Sequence, residues 1–155
     1  MPVHMRTQIR DALVAALREG GVSGNSWGSR VFASRRYPLA RTDLPAILVY
    51  TLEESSGRDT ARNLQRQLSV AVEAVTEANG TLDAELDELC RQAEASISVD
   101  PTLGGLVYDI ELRGTQIALH PGGADRKPEF ETGGAAMAFL ATYRTPVTDP
   151  ATNSR

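Results

Sequence analysis

The chain has 155 residues, 16 basic against 20 acidic side chains for a formal net charge of −4, and 41% hydrophobic residues. That profile fits a soluble globular protein of one domain, long enough to bury about 70% of the surface its unfolded form exposes. It argues against a protein that grips phosphates through a basic surface. With Cys90 as the single cysteine, an intramolecular disulfide is excluded. No apolar run approaches the roughly 20 residues of a membrane span, and the N-terminus lacks the apolar stretch of a signal peptide.

Taken in chain order, the first element is a helix over about Met5–Glu19, where Met5, Ile9, Leu13 and Leu17 recur every four residues. Gly20-Gly21 ends it, and the glycine-rich run to Gly28, including Trp27, reads as a flexible connector. It follows a helix and lacks a Gly-Lys-Ser/Thr ending, so it is not a phosphate loop. Val31–Ser34 is a short strand. Ala46–Glu53 is a second, its Ile47-Leu48-Val49-Tyr50 core suited to cover on both faces, and a loop over Glu53–Ala61 follows. Asn63–Glu77 alternates apolar and polar residues as a third strand. A second helix spans about Leu82–Ile97, burying Leu82, Leu86, Leu89, Ala93 and Ile97, and Asp100-Pro101 closes it. Gly105–His120 is a strand region whose apolar parity shifts near Gly114, as a bulge would require. Gly134–Thr145 is the last strand.

This order predicts an α+β fold with a mixed, mostly antiparallel sheet and two main helices packed on one face. Residues 1–145 form one domain, and 146–155, with two prolines and few apolar residues, read as a disordered tail. A strand over Asn63–Glu77 would run about 50 Å at about 3.3 Å per residue. It therefore bends or projects as a β-hairpin arm, and an arm's exposed edge calls for a partner.

Chemistry is sparse. His4 and His120 are the only histidines, and both read as surface residues at element ends. Cys90 sits on the second helix beside Leu86 and Leu89, as a small buried hydrophobe. No CxxC, HxH or HExxH occurs, so neither a metal nor any other cofactor is expected. Asp109 and Glu111 share a strand face and read as solvated. Arg30, Arg35, Arg36 and Arg41 form the one local basic cluster, but aromatic residues are just 5% of the chain, too few to interleave with bases. These features predict a protein that is not an enzyme.

The order of segments is more informative. Met5-Arg6-Thr7-Gln8-Ile9-Arg10 opens the first helix, and Arg30-Val31-Phe32-Ala33-Ser34 follows the connector. Leu44-Pro45-Ala46-Ile47-Leu48-Val49-Tyr50 enters a strand through a proline. Asn63-Leu64-Gln65-Arg66-Gln67-Leu68-Ser69-Val70 precedes Leu82-Asp83-Ala84-Glu85-Leu86-Asp87, and Asp100-Pro101-Thr102-Leu103-Gly104-Gly105-Leu106-Val107 introduces the penultimate strand region. Up to Thr145 this resembles the tail terminator family of long-tailed bacteriophages, the minor tail protein U-like proteins. The resemblance implies a structural virion protein at the head-proximal end of the tail, assembled in the host cytoplasm. It would form a hexameric ring that caps the completed tail tube, stops tube polymerisation and offers the surface for head docking. Its partners would be further copies of itself, the major tail-tube protein and the head–tail connector or neck protein, with DNA only passing through the lumen and no membrane contact. A neck or head-completion protein of the same particles is the alternative. Candidate interface residues are Glu53, Glu54, Ser55, Ser56, Gly57, Arg58 and Asp59 in the expected loop, with Arg30, Arg35 and Arg36. The long strands beginning at Asn63 and Gly105 are the candidates for the ring's two contact edges.

Overall fold

The computed structural model describes residues 2–18, 25–33, 39–120 and 131–154. The chain is α+β: helix α1 (Met5–Arg18), strand β1 (Val31–Phe32), β2 (Ala46–Arg58), β3 (Asn63–Glu77), helix α2 (Leu82–Ser98), β4 (Asp109–His120) and β5 (Thr132–Pro146). The five strands form one open sheet in the order β1-β2-β3-β5-β4. β1 pairs with β2 in parallel, and every other pair is antiparallel. Both helices lie on one face, α1 over β1 and β2, α2 over β3 and β5.

The four-residue spacing read in α1 is its buried stripe: Met5, Ile9, Leu13, Val14 and Leu17 are all buried. They meet Leu86, Leu89, Ala93 and Ile97 of α2 and the inward-facing residues of β2, β3 and β5, among them Val49, Val72 and Met137. On the opposite face, Leu39, Ala46, Leu48 and Val75 form a smaller cluster flanked by Phe32, Leu44 and Tyr50. Ala46–Val49 is thus covered on both sides, as its continuous apolar run requires. Gly133 on β5 lies so close to α2 that an added Cβ would stand 2.6 Å from a Leu82 methyl, which is how the helix start reaches the sheet.

The start of α1 depends on a histidine. His4 Nδ1 accepts a hydrogen bond from Arg6 N–H at 3.1 Å, satisfying one of the donors that the first helical turn leaves free. Burial lowers the His4 pKa below 6.5, and the neighbouring Arg6 lowers it further. A lowered pKa means the unfolded chain binds the proton first, so this contribution is complete above about 6.5 and falls away as pH drops through that value. The melting temperature is therefore expected to decline between about pH 7 and 5. In His4→Asn, which can still cap the helix but does not titrate, that decline should disappear. An unchanged profile would remove His4 from the account.

Three expectations require correction. The long strand does not project as a two-stranded arm, because β5 pairs with β3 along its whole length, from Asn63↔Pro146 to Glu77↔Thr132. Its fifteen residues are central sheet, stabilised on both edges. The connector is not loose at its described end. Trp27 is fully buried and its Nε1 donates to the Leu17 carbonyl at the end of α1, 3.0 Å away. Gln92 on α2 holds Ser26, its Oε1 accepting from Ser26 N–H at 2.8 Å and its Nε2 donating to Ser26 Oγ at 2.9 Å. Gly20 to Gly24 lie outside the described residues.

The third correction concerns residues 146–154, which are held by backbone hydrogen bonds that composition cannot reveal. Met5 N–H donates to the Pro150 carbonyl (2.9 Å), Val147 N–H to Arg62 (2.8 Å) and Ser154 N–H to Arg144 (3.0 Å). Gln8 Nε2 reaches the Ala151 carbonyl at 2.9 Å, and Asn153 Nδ2 reaches that of Gly105 at 2.8 Å. Beyond the start of β4, this segment occupies the edge of β5. Deleting residues 148–155 should cost about 2–4 kcal/mol, since hydrogen bonds of this kind contribute about 1 kcal/mol each. Denaturant unfolding measures it, and an unchanged midpoint would show that the segment does not contribute.

Candidate functional site

Glu53–Arg58 is strand rather than loop. β2 continues through it in register with β3, Glu53↔Ser69 to Arg58↔Leu64, after a bulge between Thr51 and Glu53. Serine, glycine and glutamate have little intrinsic preference for strands, but a paired neighbour overrides propensity. The turn is confined to Asp59–Arg62, where Thr60 Oγ1 accepts from Arg62 N–H and Asn63 N–H, and Asp59 N–H donates to the Asn63 carbonyl.

Glu54 points inward, on the helix side of the sheet. Its Oε1 accepts from Arg66 Nη1 at 2.9 Å, and its Oε2 accepts from the Tyr143 hydroxyl. Arg66 Nε also donates to Thr145 Oγ1 at 2.9 Å. The Glu54 and Arg66 side chains are only 8% and 13% exposed. Burial, then the bond to Glu54, raises the pKa of Tyr143, so its hydroxyl stays a donor at neutral pH. Glu54 is thus a member of a buried polar cluster and offers no contact surface. The alternation of a strand sends Glu53, Ser55 and Gly57 to the other face, and Ser55, Ser56, Gly57 and Arg58 line a shallow recess of about 350 Å³ with Gln65 and Gln67.

Two of the arginines from the predicted basic cluster are tied down. Arg30 donates through Nε to the Pro45 carbonyl (2.9 Å) and through Nη2 to that of Ser26 (3.1 Å). It joins the turn after the connector to the entry of β2, so its role is internal. Arg41 pairs with Glu77 at 2.9 Å. Arg35 and Arg36 lie outside the described residues. Asp59 pairs with Arg144 at 2.7 Å, which draws the turn toward β5.

The remaining chemistry-bearing side chains are equally occupied. Cys90 is half-buried, and burial with the nearby Glu94 and Asp87 carboxylates pushes its pKa up to about 11, the opposite of an activated thiol. Glu88 is held at about 2 by hydrogen bonds from Arg91 and Gln92. Among the described residues no group of three His, Cys, Asp or Glu side chains could hold a metal ion. A recess of about 370 Å³ lies between α2 and the entry to β2, lined by Ser26, Pro45, Thr76, Ala84, Glu85, Glu88 and Leu89.

What stands out is the rim of the sheet. β4 is an outermost strand, and residues 111–118 are exposed throughout. Its Leu112 and Ile117 are 38% and 59% exposed, because α2 sits over β3 and β5 instead. The bulge between Leu112 and Gly114 falls where the apolar parity shifts in the sequence. At the other side, β1 covers only Ile47 and Leu48 of β2. Among the described residues nothing pairs with the outer edge of β2 from Glu53 to Arg58. The strand edges expected from Asn63 therefore belong to β2, since β3 is interior, while the one expected from Gly105 begins at Asp109 on β4. No period-two signal distinguishes an edge strand from a central one, so sequence reasoning had no means of assigning them.

No helix among the described residues is long and apolar enough to cross a membrane. In comparisons with known proteins, no family model matches the chain and no curated protein matches it.

Proposed function

We propose that the chain is a structural, ring-forming virion subunit, a tail terminator that caps the completed tail tube and offers the surface on which the head docks. One observation carries this reading beyond the order of segments: among the described residues the sheet presents two open strand edges, on β2 beyond the short β1 and on β4, at opposite sides of the subunit. A ring needs two different surfaces on each copy, because a head-to-tail contact closes when the rotation between copies is right. Several equivalent contacts then engage a tube end at once, which turns weak individual contacts into long residence. Capping results when the far face of the ring lacks the surface that the next tube subunit needs. A net charge of −4 suits a lumen through which DNA passes without adhering.

Deleting the gene in the parent phage tests the proposal. Abnormally long, headless tails beside filled heads are expected. Tails of normal length joined to heads would overturn it. Normal-length tails that fail to join would favour a neck or head-completion protein instead.

A further inference from the structure

We propose that the outer edge of β4 in one copy pairs antiparallel with the outer edge of β2 in the next, through residues Asp109–Gly114 and Glu53–Arg58, so that the sheet continues from subunit to subunit. The inference rests on the assembly reading above and names the surfaces that would carry it.

Strand direction is the first ground. β2 is antiparallel to β3, β3 to β5, and β5 to β4, so β4 runs opposite to β2. Rotation about an axis along the strands leaves their directions unchanged. A neighbouring copy placed that way brings its β4 to β2 in the antiparallel sense, which needs no reorientation of either subunit and is the more stable pairing per residue.

Charge order is the second. Along β2 an anion comes first and a cation last, Glu53 then Arg58. Along β4 the order is the same, Asp109 and Glu111 then Arg113. All five are exposed, and Glu111 and Arg113, paired at 2.9 Å, each keep more than half of their side-chain surface in solvent. Antiparallel pairing sets the cationic end of one edge against the anionic end of the other at both ends of the contact. Parallel pairing would set like against like, which destabilises cross-strand neighbours.

The third ground is that these edges carry only part of the usual protection. Isolated edge strands are commonly blunted by charges, lysine above all, by proline, by bulges or by a covering segment. Here each bulge lies at one end of the paired segment, between Thr51 and Glu53 and between Leu112 and Gly114. Neither Glu53–Arg58 nor Asp109–His120 contains a lysine or a proline. Exposed Leu112 and Ile117 on β4, together with Leu52 (47% exposed) at the β2 bulge, add apolar surface beside the free backbone groups.

The test uses proline, which removes the N–H a partner strand needs and is tolerated on an edge where that N–H faces outward. Of two adjacent residues one N–H faces outward, so Glu111→Pro and Leu112→Pro are made for β4, and Ser55→Pro and Ser56→Pro for β2. From each pair the variant that keeps the wild-type circular dichroism and cooperative melting is taken forward. Wild type is expected to assemble and each single-edge variant to remain monomeric by light scattering. An equimolar mixture of a β4 variant and a β2 variant should give one-to-one dimers and nothing larger, because each partner retains one intact edge. A variant that assembles like wild type, a mixture that stays monomeric, or a wild type that never assembles overturns the pairing. Hydrogen exchange of wild type decides the matter even if no proline variant folds: amide protection should rise in both segments on assembly, and an unchanged rate in either overturns the proposal. Failure here is separable from failure of the terminator reading. Long tails in the deletion strain with these edges unprotected would keep the function and reject the pairing. Edge-paired rings whose gene deletion leaves tail length unchanged would do the reverse.

Discussion

Replacing Trp27 with Ala is expected to lower the stability of the subunit by about 3–5 kcal/mol, the usual cost of truncating a buried aromatic side chain to alanine. Trp27 is among the largest fully buried side chains, and two losses coincide at this position. The indole vacates space in the main core beside α1, and the Leu17 carbonyl loses its closer donor at 3.0 Å, keeping the longer bond from Asn25 Nδ2 at 3.4 Å. Trp27→Phe separates the two, since it refills much of the volume without the N–H. Its cost should be smaller, with about 1 kcal/mol of the difference from wild type belonging to the hydrogen bond. Urea unfolding of the three proteins measures this directly. A Trp27→Ala midpoint within error of wild type would mean that the residue is not packed under the helix.

Arg66→Met is the second large effect, expected at about 3 kcal/mol, because it leaves the Glu54 carboxylate buried without its cation, and breaking one side of a buried pair costs far more than the pair contributes. Tyr143 still donates to Glu54, and Thr145 loses the guanidinium that its hydroxyl accepts from at 2.9 Å. The double variant Arg66→Met with Glu54→Leu removes both charges and should recover most of the loss. A double-mutant cycle therefore reports a coupling well above the few tenths of a kcal/mol seen at independent sites. Coupling near zero would mean that Glu54 is solvated, and it would return this residue to the set of contact candidates.

Acid should act on the same molecule through other groups. Hydrogen bonds hold Glu88 at about 2 and lower Asp100 and Asp149, and each carboxylate favours the native state most above its unfolded pKa. Their contributions fade as pH falls below the ordinary carboxylate range, after the His4 contribution has already gone.

Local pattern was enough for much of this fold. The spacing of Met5, Ile9, Leu13 and Leu17 is the buried stripe of α1, and the alternation from Asn63 to Glu77 has the limits of β3. Both are short-range consequences of side-chain geometry, about 3.6 residues per turn or two per pleat. The bulge near Gly114 was legible for the same reason, since an extra residue shifts the parity of every later position in the strand. The composition of 146–155 misled because it reports apolar burial, whereas this segment is held by main-chain groups that any residue carries. Glu53–Arg58 misled because its residue types are those of a turn, while its conformation comes from β3 lying alongside.

The sequence by itself determined the helices, the strands that alternate and the covered run of β2, because those depend on neighbours within a few positions. Only the tertiary structure decided that Glu54 meets Arg66 and Tyr143, that Trp27 closes the end of α1, and that β3 is interior while β2 and β4 form the rim. Strand order is a relation between segments far apart in the chain, and hydrogen bonds across a sheet leave no periodic trace in either strand. The candidate contact surface is made of those edges, so it became visible when the sheet was assembled and not before.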